Sequence, residues 1–179
     1  VPDEDAFFRA LGLPVIPPEM REGMGEIEAA ARGELPELIT FDDLQGVLHC
    51  HTEYSDGTAT IAEMAKAAQK RGWSYIGISD HSESAFYAGG LKRDKLLRQQ
   101  EEIDELNAKM KGFRILKGIE ADILADGRLD YDGEILDGLD YVIGSIHSDG
   151  ATSSDAAAEA AAAPCVWSGS PAPTGRTIS

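Results

Sequence analysis

Four short apolar runs along the middle of the chain constrain its fold more than any other feature. They read GVLHC (46–50), SYIGIS (74–79), FRILKGIE (113–120) and LDYVIGSI (139–146). Few polar residues interrupt them, which is the pattern of strands buried on both faces. Between the first two lies TIAEMAKAAQKRG. There Thr60 and Glu63 have capping-box spacing, and Gly72 can close the helix. Between the second and third, Asp94 opens a long helix that ends near Gly112. Leu96, Leu97, Ile103, Leu106 and Met110 fall largely on one face of it, the face expected to meet a sheet. Strands and helices at these spacings predict repeated parallel βαβ units, and a barrel or an open doubly wound sheet both satisfy them. No internal repeat is visible.

The flanks differ in character. Residues 1–45 are acidic and punctuated by Pro14, Pro17 and Pro18, with a short helix expected across REGMGEIEAAARG up to Gly33. They read as a connector preceding a domain at 46–150. Residues 151–179 begin Ala-rich and end in WSGSPAPTGRTIS, which has neither a helical nor a strand period. With no initiator Met, the chain is expected to begin inside a longer polypeptide. No apolar run approaches the roughly eighteen residues a membrane span needs, and no secretory leader is visible. Cys50 and Cys165 make no disulfide framework, which points to a reducing, cytoplasmic setting.

Sixteen Lys and Arg stand against thirty-two Asp and Glu, a net charge of −16. That excludes a generally basic surface that coats nucleic acid, but not an enzyme that reaches phosphates through bound cations.

The chain has only four histidines, His49, His51, His81 and His147. Each stands within a residue or so of the C-terminal end of an expected strand. In parallel α/β folds those ends converge on the ligand face. Alternation along a strand puts His49 and His51 on one side. Asp56 follows in the turn YSDG, His81 follows Asp80, and Glu120 ends the third strand. Imidazoles mixed with carboxylates suit Zn²⁺, Mn²⁺ or Fe²⁺ better than Ca²⁺. Six candidate ligands exceed the need of one ion, which takes about four. Glu120 could bridge two, and ions about 3.5–4 Å apart suit phosphoester hydrolysis. Cys50 points to the opposite face and is expected in the core. Trp73, Tyr75 and Phe113 are expected between helix and strand. Lys92 and Arg93 follow the loop YAGGL, where they could contact phosphate or form a solvated charge pair at the helix entry.

At LHCHTEYSDG, IGISDHS, GIEADIL and GSIHS the sequence resembles the polymerase and histidinol phosphatase (PHP) superfamily, over about residues 46–150. The resemblance implies an α/β fold, a distorted (β/α)7 TIM-like barrel, with two or three divalent ions, Mn²⁺ or Zn²⁺ and with Fe²⁺ compatible. It implies that His49, His51, Asp56, His81, Glu120 and His147 hold those ions and act through them. A narrower resemblance, in ALGLPVIPPEMREGMGEIEAA, ELPELITFDDLQG and LLRQQEEIDELN, is to bacterial family-X DNA polymerases, in which a PHP domain follows the polymerase core. It implies 3′–5′ exonuclease or phosphatase action on DNA 3′ ends. Residues 1–45 would be the end of the polymerase thumb and a linker, with the polymerase core upstream as partner. The alternatives are a phosphatase of small monoesters and a non-catalytic remnant.

The chain departs from the family pattern of nine ligands, three of which follow His147. Where a Gly-His-Pro-Thr-Gly-Arg motif is expected it reads SPAPTGR, with Ala172 in place of His, and two further ligands would lie beyond Ser179. Residues 151–179 accordingly read as a degenerate or truncated continuation of the domain, and the barrel is expected to stop after about the fourth or fifth strand. His49, His51 and Glu120 would hold the first ion, Asp56 and His81 the second, Glu120 and His147 the third, each one ligand short. A chain so built is expected to be a poor or dead nuclease, and the full-length form it comes from an active one with Mn²⁺.

Overall fold

In the computed structural model, residues 2–147 are described, and they fall into two compact units divided after Asp43. The readings made above for residues 151–179, Cys165 and Ala172 among them, lie outside the described residues.

The first unit holds helices α1 (Glu4–Ala10) and α2 (Glu26–Arg32). Asp3 caps α1, its side chain accepting from the Ala6 N–H at 2.7 Å. Phe8, Ile16 and Ala30 form a small core with Leu13, Met20 and Leu35 around it. Arg21 ties this unit together, donating through Nε to the Ile16 carbonyl at 2.8 Å and pairing with Glu4 at 2.8 Å. Helix α2 stops at Gly33, whose φ of 69° is left-handed, as expected of a C-cap glycine. This first unit therefore carries a core of its own, which its sequence did not announce.

In the second unit the chain runs β1 (Gly46–Cys50), α3 (Ile61–Lys70), β2 (Tyr75–Ile78), α4 (Arg93–Lys109), β3 (Arg114–Asp122), α5 (Gly133–Leu136) and β4 (Tyr141–Ser145). The strands are all parallel and lie in the order β1-β2-β3-β4, in a curled sheet. A doubly wound sheet reverses its strand order at a switch point. This one advances one strand at a time, as a β/α barrel does.

The capping box at α3 forms as expected, with Thr60 and Glu63 each serving the other's backbone. On the helix side of the sheet, Ile61, Ala65, Ile76, Ile78, Ile103 and Ile115 make one core. A second, further along the sheet, gathers Leu91, Leu96, Ile119, Ala121, Tyr131 and Leu139. Cys50, Trp73 and Phe113 pack into the first, as expected.

Two expected core positions differ. Leu97 is 43% exposed, and the buried line along α4 is Leu96, Gln99 and Ile103. These three follow the i, i+3, i+7 spacing of one helical face, and Leu97 stands about 100° round from it. Tyr75 alternates with the core residue Ile76, so it turns away from the helices and lies over Gly46, where an added Cβ would sit 2.6 Å from its ring.

The other face of the sheet is governed by Tyr141. Its ring crosses from β4 over Gly118 and Gly77. A Cβ at Gly118 would come within 2.3 Å of the Tyr141 ring, and one at Gly77 within 2.5 Å of its hydroxyl. Only glycine admits an aromatic ring that close to neighbouring strands.

Candidate metal centre

Glu120 lies near the C-terminal end of β3, 5% exposed, and four imidazoles converge on it. His49 Nε2 and His147 Nε2 stand 3.3 and 3.2 Å from its Oε1. His51 Nε2 and His81 Nδ1 stand 3.2 and 3.1 Å from its Oε2. Asp56 closes the other side, its Oδ1 2.8 Å from His51 Nδ1 and its Oδ2 3.5 Å from His81 Nε2. The six residues singled out from the sequence thus meet at one end of the sheet. They form three overlapping groups: His49, His51 and Glu120; His51, Asp56 and His81; and His81, Glu120 and His147. Within each group the potential ligand atoms lie within 4.8 Å of one another. Each group has a member in common with the other two, so His51 and His81 are shared as well as Glu120.

Strand alternation alone does not bring His49 and His51 together. The pairing of β1 with β2 shifts between Val47 and Cys50, and His49 adopts φ +62°, the one non-glycine with positive φ among the described residues. Such a conformation is costly for a residue with a Cβ, and irregular pairing of this kind re-aims side chains.

Asp80, fully buried, fixes the loop that follows. Its carboxylate accepts from the Thr52 N–H and hydroxyl at 2.7 Å each, from the Ser55 N–H at 3.2 Å and hydroxyl, and from Gln99 Nε2 at 2.6 Å. This anchors the segment between His51 and Asp56 to β2 and α4. Asp122 does similar work for His147, accepting from its Nδ1 at 2.5 Å and leaving Nε2 toward Ser145 Oγ and Glu120. Asp130 in turn accepts from the Ser82 hydroxyl at 2.7 Å and the Ser84 and Asp122 N–H groups at 3.0 and 3.1 Å. None of these three carboxylates was assigned a role from the sequence. Asp122 was within reach, since it stands two residues after Glu120 on the same face of β3.

The charges respond to one another. Burial would raise the Glu120 pKa, but hydrogen bonds from His49 and Ser145 and the nearby His81 and His147 outweigh it, leaving it below the usual carboxylate value. For His147 burial pulls down, while the hydrogen bond to Asp122 and the charge of Glu120 pull up and prevail. Asp56 is lowered, chiefly by its hydrogen bond with His51.

Arg93 pairs with Asp132 and Glu134 at 3.5 Å each, and exposed Lys92 occupies the position before the first turn of α4. The arrangement is that of a charge cluster at a helix entry.

The PHP domain family matches residues 48–164. This chain belongs to the PHP domain family. The DNA polymerase/3′-5′ exonuclease PolX of Bacillus subtilis (strain 168) is 48% identical to it over 147 residues, 82% of this chain and 25% of that protein. A probable phosphatase of Caldanaerobacter subterraneus subsp. tengcongensis is 35% identical over 109 residues, 56% of this chain and 38% of that one. Another, from Acetivibrio thermocellus, is 38% identical over 101 residues, 55% and 39%. The chain therefore spans a quarter to two fifths of the length of these relatives. Among the described residues of this PHP chain, no helix is long and apolar enough to cross a membrane.

Proposed function

We propose that the Glu120 cluster is the metal centre of a phosphoester hydrolase and that in the full-length protein it trims DNA 3′ ends. The observation that carries the reading is the mismatch of hydrogen-bonding groups around Glu120. His81 Nδ1 and Glu120 Oε2 are both buried, 3.1 Å apart, and neither has an aligned hydrogen-bond partner. A neutral imidazole has one N–H and one lone pair. Yet His51, His81 and His147 each face carboxylate oxygens with both nitrogens. Lone pair facing lone pair in a buried site is unfavourable; a second proton on an imidazole relieves it at one histidine, as the raised His147 pKa allows, whereas shared cations relieve it at all three together. The donor set therefore fits borderline divalent ions such as Mn²⁺, Zn²⁺ or Fe²⁺.

His49, His51, Asp56, His81, Glu120 and His147 would hold two or three such ions. Bound there, the ions would supply positive charge for a phosphate and a water of lowered pKa. The chain's own part is orientation. Glu120 offers one oxygen to each side of the cluster, Asp122 sets the His147 tautomer, and Asp80 holds the loop bearing Asp56. Residues 1–45 would be the end of a polymerase thumb and its linker, with the polymerase core as partner.

Two readings compete over the substrate. The match to the polymerase/exonuclease covers 147 residues, and the matches to the two phosphatases cover 109 and 101. This favours DNA ends over small monoesters. The test is a 3′-labelled single-stranded oligonucleotide beside a small aryl phosphate, each with millimolar Mn²⁺. Release of the 3′ label by the full-length protein is the result expected, with slow release or none by this chain, whose ions are each expected to be one ligand short. Turnover of the aryl phosphate alone would make the protein a monoesterase, and no bound metal would make it a remnant.

A further inference from the structure

The loop after His81 is tightly built, yet it turns two aromatic rings outward. Ser82 and Ser84 are held by Asp130, and the Leu91 N–H returns to the His81 carbonyl at 2.8 Å. Ala85 and Leu91 are fully buried. Gly90 packs so closely that a Cβ would stand 1.9 Å from the Ser82 carbonyl oxygen. A loop fixed this firmly had inward positions to use. Phe86 and Tyr87 nevertheless sit on a single 3-10 turn, 84% and 64% exposed.

Their position is specific. The Tyr87 ring centre is 6.4 Å from that of His81 and 6.3 Å from that of His147. Phe86 and Tyr87 stand edge to face, 6.2 Å apart at 77°, so they offer two differently directed surfaces. Beside them opens a cavity of about 580 Å³, walled by Phe86, Tyr87, Ile123, Leu124, Asp122 and His147. Ligand cavities commonly hold about 300–1,000 Å³, so a nucleoside-sized group is within its capacity. Asp122 and His147 belong to this wall and to the metal centre alike. A ligand whose phosphate engages the centre would lead its next group into the cavity. Ser84, Asp122 and His147 give one side of the wall polar groups, no Lys or Arg is among the described lining residues, and the side made by Phe86, Tyr87, Ile123 and Leu124 suits a flat, uncharged π system.

We propose that Phe86 and Tyr87 form a stacking subsite for the terminal base of a single-stranded nucleic-acid end whose phosphate lies at the Glu120 cluster. The proposal rests on the phosphoesterase reading and names the group next to the scissile phosphate. Stacking is tolerant of sequence, because every base has a π face. With no basic groove in the cavity wall, selection of the end comes from the base, and the dependence on salt is shallow.

The test uses the whole chain with Mn²⁺ and two single-stranded oligonucleotides, one ending in 2-aminopurine and one in an abasic residue. A phosphorothioate as the last linkage slows cleavage. The base-bearing end should bind on the order of 10- to 100-fold more tightly than the abasic one, with quenched 2-aminopurine fluorescence. Phe86→Ala/Tyr87→Ala should erase that preference and the quench at unchanged metal content, and Tyr87→Trp should keep both. Equal binding of the two ends by the wild-type chain, or a preference surviving the double substitution, would overturn the subsite. If neither oligonucleotide binds, the subsite is likewise wrong, and the aromatic pair is left to a protein partner. Release of a 3′ label is scored separately, on the full-length protein. Hydrolysis without a base preference overturns the subsite alone, and a base preference without hydrolysis overturns the hydrolase reading alone.

Discussion

Glu120 presents each carboxylate oxygen to two imidazole nitrogens, so its charge is felt by every histidine in the cluster. Glu120→Gln should therefore lower bound metal, measured by elemental analysis on equally folded proteins, more than replacing any single histidine. An equal or smaller loss would mean that Glu120 bridges nothing. Asp80 makes a different prediction, because its five donors come from Thr52, Ser55 and Gln99 and none from a candidate ligand. Asp80→Asn places an amide N–H₂ among donors and should cost about 3 kcal/mol of stability in urea unfolding. Four of the six candidate ligands could be read because a histidine at a strand end leaves a mark in the sequence, and Asp56 and Glu120 because they stand in the same set of motifs. Asp80 could not be read in this way, and Asp122 only through its place two residues after Glu120 on the same face of β3. Their work is done through hydrogen bonds to residues up to 28 positions away, and a buried acid looks the same in a sequence as a surface one.

Elements were legible where local chemistry sets them. The apolar runs gave β1 to β4, and Thr60 with Glu63 marked the start of α3. The failures came where tertiary contacts decide. Strand β3 runs on to Asp122 because β4 pairs with it through Asp122 and Ser145. The irregularity at His49 belongs to the β1–β2 pairing and to no local motif. On α4, Leu97 looked like core and Gln99 did not, because hydropathy ranks leucine first, whereas Gln99 is buried by its bond to Asp80. The contrast is measurable. Leu96→Ala should destabilise by about 2–5 kcal/mol. Leu97→Ala should stay within about 0.5 kcal/mol of wild type. Similar losses at both positions would mean that the two leucines share one buried face.

For the whole molecule, sequence spacing left a barrel and a doubly wound sheet open, and the PHP motifs chose the barrel before any strand was placed. The strand order β1-β2-β3-β4 agrees with that choice. The net charge of −16 left a cation-assisted route to phosphate, and the six-residue cluster is where such cations would be held. The central claim is that these residues together hold more than one ion. Its most direct measurement is metal stoichiometry: the purified chain, equilibrated with Mn²⁺ and freed of excess by gel filtration, is analysed for metal per polypeptide. The account predicts two or three ions per chain, falling below one in the Glu120→Gln protein. A wild-type chain that retains no ion, or keeps its ions unchanged when Glu120 is replaced, would contradict it.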